Sequence, residues 1–297
     1  MNKEDEKNIG RIIQGIGGFY TVVDGDQRHV CRARGNFRDK KITPMVGDYV
    51  EYNPSTDESC GYITSIIDRK NHLLRPMVAN IDMLVIVISP ESPKPDFGLV
   101  DILLINAEKI DADVCLVINK EDLSKEYTEE ILNQYRHIEK RFAVSAKTKK
   151  GISKFEKAIE GKTICFAGQS AVGKSSILNR LLPNVELQTG EVSEKTQRGK
   201  HTTRQADLLE YKNGYVVDSP GFSMLELELE DPVNIKDYYP DFLEYATGCK
   251  FNGCLHYTEP GCAVIEAVEK GEIDKDRHER YKKIYEQMNE RWRKRYG

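Results

Sequence analysis

The chain has 297 residues, of which 39% are hydrophobic and 31% charged, a balance typical of soluble globular domains and not of disordered or membrane-embedded chains. The formal net charge of −4 gives no overall signal for nucleic-acid binding, and the length predicts about two or three domains. The longest apolar run, Met83 to Ile88, is too short to span a bilayer, and the polar start MNKEDEKNIG lacks a signal sequence, so we expect a cytoplasmic protein without membrane contact.

Short strands and turns follow one another from Gly10 to Asp68. GFYTVV and QRHVCRA flank an Asp24-Gly25 turn, which is a strong hairpin signal, and GDYVEY and GYITSII follow. About four or five strands in roughly 65 residues predict a small closed barrel of the OB-fold type. The basic residues between Arg28 and Lys41 favour RNA binding by this barrel, although such a run can equally be a solvated surface. After the barrel, RKNHLLRP is expected to be a linker.

From Ile81 the pattern changes to buried strands that alternate with helices. DMLVIVIS, DVCLVINK, FAVSAK, KTICFAG and GYVVDSPG predict strands, and helices are expected at 99–110, 125–141, 152–159 and 175–182. This alternation predicts a parallel sheet whose binding loops lie at the carboxyl ends of the strands. The region from about Glu226 onward is expected to be helical.

About halfway along the chain, GQSAVGKSS matches the phosphate-binding pattern G-x-x-x-x-G-K-[ST]. Its glycines allow backbone N–H groups to point at an anion, and the helix predicted after the loop adds its N-terminus. Lys174 is expected to reach the β- and γ-phosphates, and the Ser175 hydroxyl to bind Mg²⁺. The predicted nucleotide-binding residues of this loop are Gly168, Gln169, Ser170, Ala171, Val172, Gly173, Lys174, Ser175 and Ser176.

The tetrapeptide NKED precedes the phosphate loop and matches the NKxD pattern of guanine recognition. The Asp122 carboxylate can accept hydrogen bonds from N1–H and the exocyclic amine of guanine, whereas adenine offers no such pair of donors. Asn119 is expected to brace the phosphate loop, Lys120 to cover the base, and the SAK tripeptide to give a backbone N–H to the guanine oxygen. The predicted base-binding residues are Asn119, Lys120, Glu121, Asp122, Ser145, Ala146 and Lys147.

DSPG fits the DxxG pattern, in which Asp218 holds Mg²⁺ through water and the Gly221 N–H senses the γ-phosphate. The preceding RGKHTTRQ is either a polar surface loop or a switch in which Thr202 or Thr203 completes the Mg²⁺ shell; we favour Thr203. Phe222 stands where many regulatory GTPases carry a water-orienting glutamine, so we expect slow hydrolysis by the chain alone. His201 is our candidate for positioning the attacking water, with Gly221 as the second catalytic candidate.

These motifs follow an unusual order along the chain. Starting from DMLVIVIS, the base-recognition motif comes first, then SAK, the phosphate loop, the switch segment and DxxG. This is a cyclic rotation of the usual order, and each loop can keep its place at one sheet edge because domains tolerate rotation when the termini lie at the surface. The sequence therefore predicts a circularly permuted α/β P-loop GTPase domain.

The C-terminal region contains the array C-x4-C-x-H-x5-C within CKFNGCLHYTEPGC. Three thiolates and one imidazole match a closed, tetrahedral, structural Zn²⁺ site with no open position for catalysis. The alternative, unligated cysteines, is disfavoured at this density in a reducing compartment. The predicted zinc ligands are Cys249, Cys254, His256 and Cys262.

With NKED, SAK, GQSAVGKS, RGKHTTR, DSPG and the Cys-Cys-His-Cys array in this order, the chain closely resembles the circularly permuted, ribosome small-subunit-dependent GTPase A family over essentially its whole length. The resemblance implies an OB-fold at 1–72, a permuted GTPase domain at 73–225 and a helical zinc-binding domain at 226–297. It also implies a GTPase, stimulated by the small ribosomal subunit and its rRNA, that acts late in maturation of that subunit. Its expected cofactors are one structural Zn²⁺ and Mg²⁺ with GTP, and we expect a monomer.

Two other functions fit parts of the pattern. The chain could be a non-catalytic rRNA-binding assembly factor that only holds GTP, which would bind small subunits without releasing more phosphate. It could also be an ATP-dependent P-loop enzyme, although Asp122 argues against adenine.

Overall fold

A computed structural model of the chain describes residues 8–34, 37, 42–55, 60–183, 206–218 and 230–296. The described residues belong to two compact units. The first unit contains the described residues within 1–85, 152–167 and 174–222. The second unit contains the described residues within 86–151, 168–173 and 223–297. The strand Met83–Ile88 contributes residues to both units.

A closed barrel opens the first unit. Its strands hydrogen-bond in the order β1-β2-β3-β5-β4, with β3 parallel to β5 and β1 antiparallel to both β2 and β4. Alternate side chains point inward, so that Ile12, Val22, Cys31, Val50 and Ile63 are fully buried. The predicted OB-type barrel is confirmed. The strands are β1 (Asn8–Ile16), β2 (Phe19–Asp24), β3 (Gln27–Ala33), β4 (Tyr49–Asn53) and β5 (Gly61–Ile66).

The expected linker RKNHLLRP is instead part of a small hairpin. Strand β6 (His72–Leu74) pairs antiparallel with β7 (Met77–Ala79). The Asn71 amide closes the base of the hairpin, because it donates to Ile81 O at 2.9 Å and accepts from Ile81 N at 2.8 Å. The sequence alone does not predict this hairpin, because a long-range amide contact of this kind leaves no periodic signal in the sequence.

In the first unit the sheet strands follow the order β8-β11-β13-β12. β11 and β13 are parallel, but β12 is antiparallel to β13, so the expectation of a wholly parallel sheet is wrong at this edge. The reason is the Lys212-Asn213 turn, in which both residues have positive φ, as a two-residue hairpin turn requires. The strands are β8 (Met83–Ile88), β11 (Thr163–Ala167), β12 (Asp207–Tyr211) and β13 (Gly214–Asp218).

In the second unit the sheet strands follow the order β10-β9-β8, with β9 (Asp113–Ile118) parallel to β10 (Arg141–Ala143). The β8 and β9 strands are apolar throughout their buried lengths, which is typical of strands covered on both faces. The helices of the α/β region across both units are α1 (Phe97–Lys109), α2 (Lys125–Gln134), α3 (Ile152–Ile159) and α4 (Lys174–Leu181).

Helix α2 is shorter than the predicted 125–141. It ends at Gln134, and the next residue, Tyr135, is fully buried with its hydroxyl 3.3 Å from Asp101 Oδ1. Arg141, which was expected in the helix, begins strand β10, and its guanidinium donates a hydrogen bond to Ile138 O at 2.7 Å. The burial of Tyr135 and the pairing of Arg141 with Leu116 in the sheet therefore end the helix where local helical propensity does not.

The C-terminal region of the second unit is helical, as expected. Its buried side chains include Phe242, Tyr239, Tyr281 and Ile284, which form one hydrophobic cluster with Ile105 of α1. Among the described residues, none of the helices combines the length and apolar character needed to cross a bilayer. The elements are a 3-10 helix (Pro232–Tyr238), α5 (Pro240–Ala246), α6 (Ala263–Glu269) and α7 (Lys275–Tyr296).

A buried charge network joins α7 to α1 and α5. The Arg277 guanidinium donates to Asp101 Oδ1 at 2.6 Å and to both carboxylate oxygens of Asp241 at 2.8 and 3.1 Å. Arg280 donates to the other oxygen of Asp101 at 2.5 Å. Because each buried carboxylate is paired through charged hydrogen bonds, the C-terminal helices are held in one arrangement on α1.

Arg11 fixes the barrel on the sheet of the first unit. Its buried guanidinium donates to Thr163 Oγ1 of β11 at 2.9 Å and to Asn80 O at 3.1 Å. It also lies between the rings of Tyr49 and Tyr215, at 5.0 and 4.8 Å from their centroids. Burial lowers the pKa of Arg11, and these hydrogen bonds and ring faces offset the cost of burying its charge.

Candidate functional site

The phosphate loop lies between β11 and α4 in the chain, and its glycines are required by its backbone. Gly168 has φ +131° and Gly173 has φ +96°, conformations that side chains disfavour. A Cβ atom at Gly168 would lie 2.1 Å from Val87 O, and one at Gly173 would lie 2.3 Å from Asn119 Nδ2. The loop therefore packs directly against the end of β8 and the start of the NKED segment.

Asn119 holds three predicted loops together. Its Nδ2 donates to Val172 O of the phosphate loop at 2.9 Å, and its Oδ1 accepts from Ala146 N of the SAK loop at 3.1 Å. Lys120 adds a contact, since its Nζ donates to Ala171 O at 2.8 Å. The structure thus brings the NKED, SAK and phosphate-loop segments to one place within the second unit, although they are far apart in sequence.

The Asp122 carboxylate is exposed beside the SAK loop. A hydrogen bond from the Ser145 side chain lowers the pKa of Asp122, so the carboxylate is ionised at neutral pH and available as an acceptor. Its neighbour Glu121 is buried and pairs with Lys150 Nζ at 2.8 Å. Ser145 Oγ also accepts from Thr148 N at 3.1 Å, which fixes the turn that contains Lys147.

Helix α4 begins at Lys174, directly after the phosphate loop, and so places Lys174, Ser175 and Ser176 in its first turn. Burial lowers the pKa of Lys174 to about 8. The exposed side of the loop includes Ser170, whereas Val172 is fully buried and Gln169 partly buried.

The lowered pKa of Lys174 gives a pH prediction for nucleotide binding. Below pH 8 the free protein carries the charged amine that we expect to pair with phosphate, and above pH 8 Lys174 must first take up a proton. We expect GDP affinity to be about tenfold weaker at pH 9 than at pH 7. Fluorescence titration with a labelled GDP analogue measures this change. The Lys174→Arg variant keeps its positive charge, so its GDP affinity should not change between pH 7 and pH 9, whatever its absolute value. A GDP affinity of the wild-type protein that is equally independent of pH would contradict the prediction.

Asp218 ends β13 and is half-buried. Burial and the nearby Asp207 carboxylate raise the pKa of Asp218. Asp207 is the first residue of β12 and pairs directly with Asp218 in the antiparallel ladder. Sequence reasoning missed Asp207, because only the antiparallel pairing of β12 brings it beside the DxxG aspartate.

Several predicted site residues lie outside the described residues. They are the catalytic candidates His201 and Gly221, the Mg²⁺ candidate Thr203 with its alternative Thr202, and Phe222.

The predicted zinc ligands converge in the C-terminal region. The ligand atoms of Cys249, Cys254, His256 and Cys262 all lie within 4.8 Å of one another. His256 Nδ1 is 3.3 Å from Cys262 Sγ and 3.6 Å from Cys249 Sγ. The sulfur atoms of Cys249 and Cys262 are 3.9 Å apart. Zn–S bonds of about 2.3 Å in a tetrahedron place sulfurs about 3.8 Å apart, so the donor set fits one Zn²⁺.

Further hydrogen bonds orient this metal centre. His278 Nε2 lies 2.7 Å from His256 O, and the Glu259 carboxylate accepts from the N–H groups of Leu255 and Tyr257, both at 2.8 Å. These backbone donors lower the pKa of Glu259. Such second-layer contacts fix the orientation of the ligands, as is common around structural metals.

Comparison with known proteins identifies the family. A family model described as RsgA GTPase matches residues 66–228, and one described as RsgA N-terminal domain matches residues 9–63. The chain belongs to the RsgA GTPase family. The resemblance inferred from the motifs is thereby confirmed.

Relatives in the RsgA family match the chain over nearly its full length. A small ribosomal subunit biogenesis GTPase RsgA from Ruminiclostridium cellulolyticum is 42% identical, covering 95% of this chain and 94% of the relative. The crystal structure of YjeQ from Thermotoga maritima has a TM-score of 0.84 at 35% identity, covering 95% of this chain and 98% of that one. The structure of YloQ, described as a circularly permuted GTPase, has a TM-score of 0.81 at 34% identity, covering 98% of both chains.

Proposed function

We propose that the chain hydrolyses GTP to GDP and phosphate in the cytoplasm while it binds the small ribosomal subunit late in its maturation, and that the subunit stimulates hydrolysis. The nucleotide part of this proposal rests on one observation. The Asn119 side chain forms hydrogen bonds with Val172 O of the phosphate loop and with Ala146 N of the SAK loop. A base-recognition segment and a phosphate-binding segment can then bind one nucleotide. The relatives that are named small ribosomal subunit biogenesis GTPase RsgA support the ribosomal part.

In this proposal Asp122 accepts two hydrogen bonds from guanine, and the Ala146 N–H, which donates to Asn119 Oδ1 in the structure, would be shared with the guanine oxygen. Lys120 covers the base with its stem while its Nζ stays bonded to Ala171 O. Asn119 acts on the nucleotide indirectly, by holding the two loops. The exposed, ionised Asp122 carboxylate can accept hydrogen bonds from the pair of donors that guanine has and adenine lacks.

The phosphates would lie on the backbone N–H groups of the loop 168–173, with Lys174 at the β- and γ-phosphates. Oxygen donors are the ligands that Mg²⁺ prefers: the Ser175 hydroxyl would bind the ion directly, and the Asp218 carboxylate would hold it through water. Bound Mg²⁺ would neutralise charge on the β- and γ-phosphates. Thr203, Gly221 and the water-positioning His201 complete the proposed site.

We assign the Cys-Cys-His-Cys centre to one structural Zn²⁺. The distances between its ligand atoms match a tetrahedral site, and all four positions are filled by protein. The metal would stabilise the loop between α5 and α6 and leave no open position for catalysis. We also keep the three-domain division at 1–72, 73–225 and 226–297 as part of this proposal.

The outer face of the barrel has the chemistry of an RNA-binding surface. Phe19 on β2 pairs with Arg32 on β3, and Arg32 pairs with Tyr62 on β5, so the three side chains form a row across adjacent strands. Phe19 and Tyr62 are 38% and 47% exposed, and the Arg32 guanidinium lies 4.1 Å from the Phe19 ring centroid. Exposed rings and a guanidinium are groups on which unpaired bases stack.

This row gives a prediction about subunit binding. Base stacking contributes about 1–3 kcal/mol per base, so the double variant Phe19→Ala, Tyr62→Ala is expected to bind small subunits at least about tenfold more weakly. GDP affinity should stay unchanged. Cosedimentation with purified subunits measures the effect, with Leu74→Ala as the control because Leu74 is an exposed apolar residue on the β6–β7 hairpin. Equal losses in both variants would argue against a stacking surface.

The proposed function is tested by phosphate release from GTP and from ATP, with and without purified small subunits. We expect slow GTP hydrolysis that the subunits accelerate, no stimulated ATP hydrolysis, and loss of GTP turnover in Lys174→Ala. Subunit binding without faster phosphate release would favour the non-catalytic assembly factor. Equal use of ATP would contradict the base assignment.

A further inference from the structure

The barrel contacts the end of the sheet that carries Asp218. Gln14 Nε2 of β1 donates a hydrogen bond to Asp207 Oδ2 of β12 at 3.0 Å, and both residues belong to the first unit. The register of β1 against β2 shifts between Ile12 and Gln14, which is a bulge. Bulges redirect the side chains that follow them, and here the redirected residue is the one that meets Asp207.

Asp207 in turn faces Asp218. The two residues lie directly opposite each other in the antiparallel pair β12–β13. Side chains at such positions are on the same face, with Cβ atoms about 4.5–5.5 Å apart. Two carboxylates at this spacing repel each other, and the repulsion is relieved by a cation or by its hydration shell.

Mg²⁺ commonly keeps several waters and is bound through one or two carboxylates together with substrate phosphates. Groups that accept hydrogen bonds from metal-bound water orient that water and raise metal affinity. Asp207 has the charge and the position for this role beside Asp218. Gln14 is a neutral partner, so it can orient the Asp207 carboxylate without neutralising it.

We propose that Asp207 is a positioning residue for Mg²⁺ at Asp218, and that Gln14 makes the barrel part of the magnesium site. This inference rests on the proposed function, because it takes Asp218 as the Mg²⁺ aspartate. It deepens that function by linking the RNA-binding face to the metal. Ile16 pairs with Phe19 and Gln14 with Thr21, so the hairpin that carries the stacking residue Phe19 also carries the contact to Asp207.

The test measures the Mg²⁺ dependence of binding of a fluorescent GDP analogue to the full chain. Asp207→Asn is expected to raise the half-saturating Mg²⁺ concentration about tenfold, and Gln14→Ala about threefold, because a second-layer partner is lost or misoriented. GDP affinity in EDTA should be unchanged in both variants. Asp207→Glu keeps the charge and should retain most of the Mg²⁺ affinity.

The matched control is Glu210→Gln. Glu210 also joins β12 to the barrel, through Arg28 at 2.8 Å, but that ion pair is exposed and Glu210 pairs with Tyr215 rather than Asp218. We expect it to leave the Mg²⁺ dependence unchanged. A shift of the same size in Glu210→Gln would overturn the inference, because it would reflect loosening of the barrel.

Asp218→Asn separates this inference from the function on which it rests. If Asp218→Asn weakens Mg²⁺ binding and Asp207→Asn does not, Asp207 has no positioning role and only the inference fails. If Asp218→Asn also has no effect, the magnesium assignment of the proposed function fails, and the inference fails with it. Unchanged circular dichroism and thermal unfolding confirm that each variant is folded.

Discussion

Asp122→Asn is expected to change the preferred nucleotide from guanosine to xanthosine phosphates. The Asp122 carboxylate accepts from two guanine donors, whereas an asparagine amide places a donor against one of them. Xanthine carries an oxygen in place of the exocyclic amine, and that oxygen accepts from the new amide. A binding group left unpaired at such a site costs at least about 100-fold in affinity, so GDP binding should weaken by this factor and XDP binding should strengthen.

Competition binding with GDP and XDP measures this exchange without relying on hydrolysis. Asp113→Asn is a matched control. Asp113 is the first residue of β9, the strand that leads into NKED, and its carboxylate pairs with Lys140 at the surface. That variant should keep the preference for GDP. If Asp122→Asn kept it as well, Asp122 would not be the group that recognises the base.

Loss of the metal should unfold much of the C-terminal region. Cys254 and Cys262 lie in the same buried cluster as Phe242, Tyr281 and Ile105, so the metal centre and the apolar core are one structure. Structural Zn²⁺ supplies about 10–16 kcal/mol of apparent binding free energy in small zinc domains, and ligand removal forfeits much of it. Burial raises the pKa of Cys262 to about 12, so without metal this group is a neutral thiol whose proton Zn²⁺ must displace on binding.

We expect wild-type protein to contain one Zn²⁺ per chain, and Cys262→Ser to lose it. Hydrogen exchange should then show lost protection in α5, α6 and α7, while the barrel strands keep theirs. Cys60→Ser is the control, because Cys60 is a partly exposed cysteine outside the cluster. Retained protection in zinc-free Cys262→Ser would show that the apolar cluster and the Arg277 network are sufficient for this fold.

The features that the sequence predicted well are those that local chemistry determines. Gly168 and Gly173 are required by backbone angles that other residues disfavour, and the spacing of the four metal ligands is confined to one short segment. Hairpin turns and apolar alternation likewise predict the barrel. In each case a few neighbouring residues contain the whole signal.

The features that the sequence did not predict depend on contacts between distant segments. Tyr135 ends α2 because its ring is buried near Asp101, and no local residue signals that end. Asp207 becomes part of the candidate site only because β12 runs antiparallel to β13. Arg277 meets Asp101 across 176 residues of sequence. Single-sequence patterns contain no information about such pairs.

A crystal structure with Mg²⁺ and a non-hydrolysable GTP analogue would show whether the NKED, SAK and phosphate-loop segments, in their rotated order, bind one guanine nucleotide. We predict that the Asp122 carboxylate will accept from N1–H and the exocyclic amine of the base, while the phosphates lie on the backbone of the loop 168–173. A base bound away from Asp122, or phosphates bound away from that loop, would contradict the account.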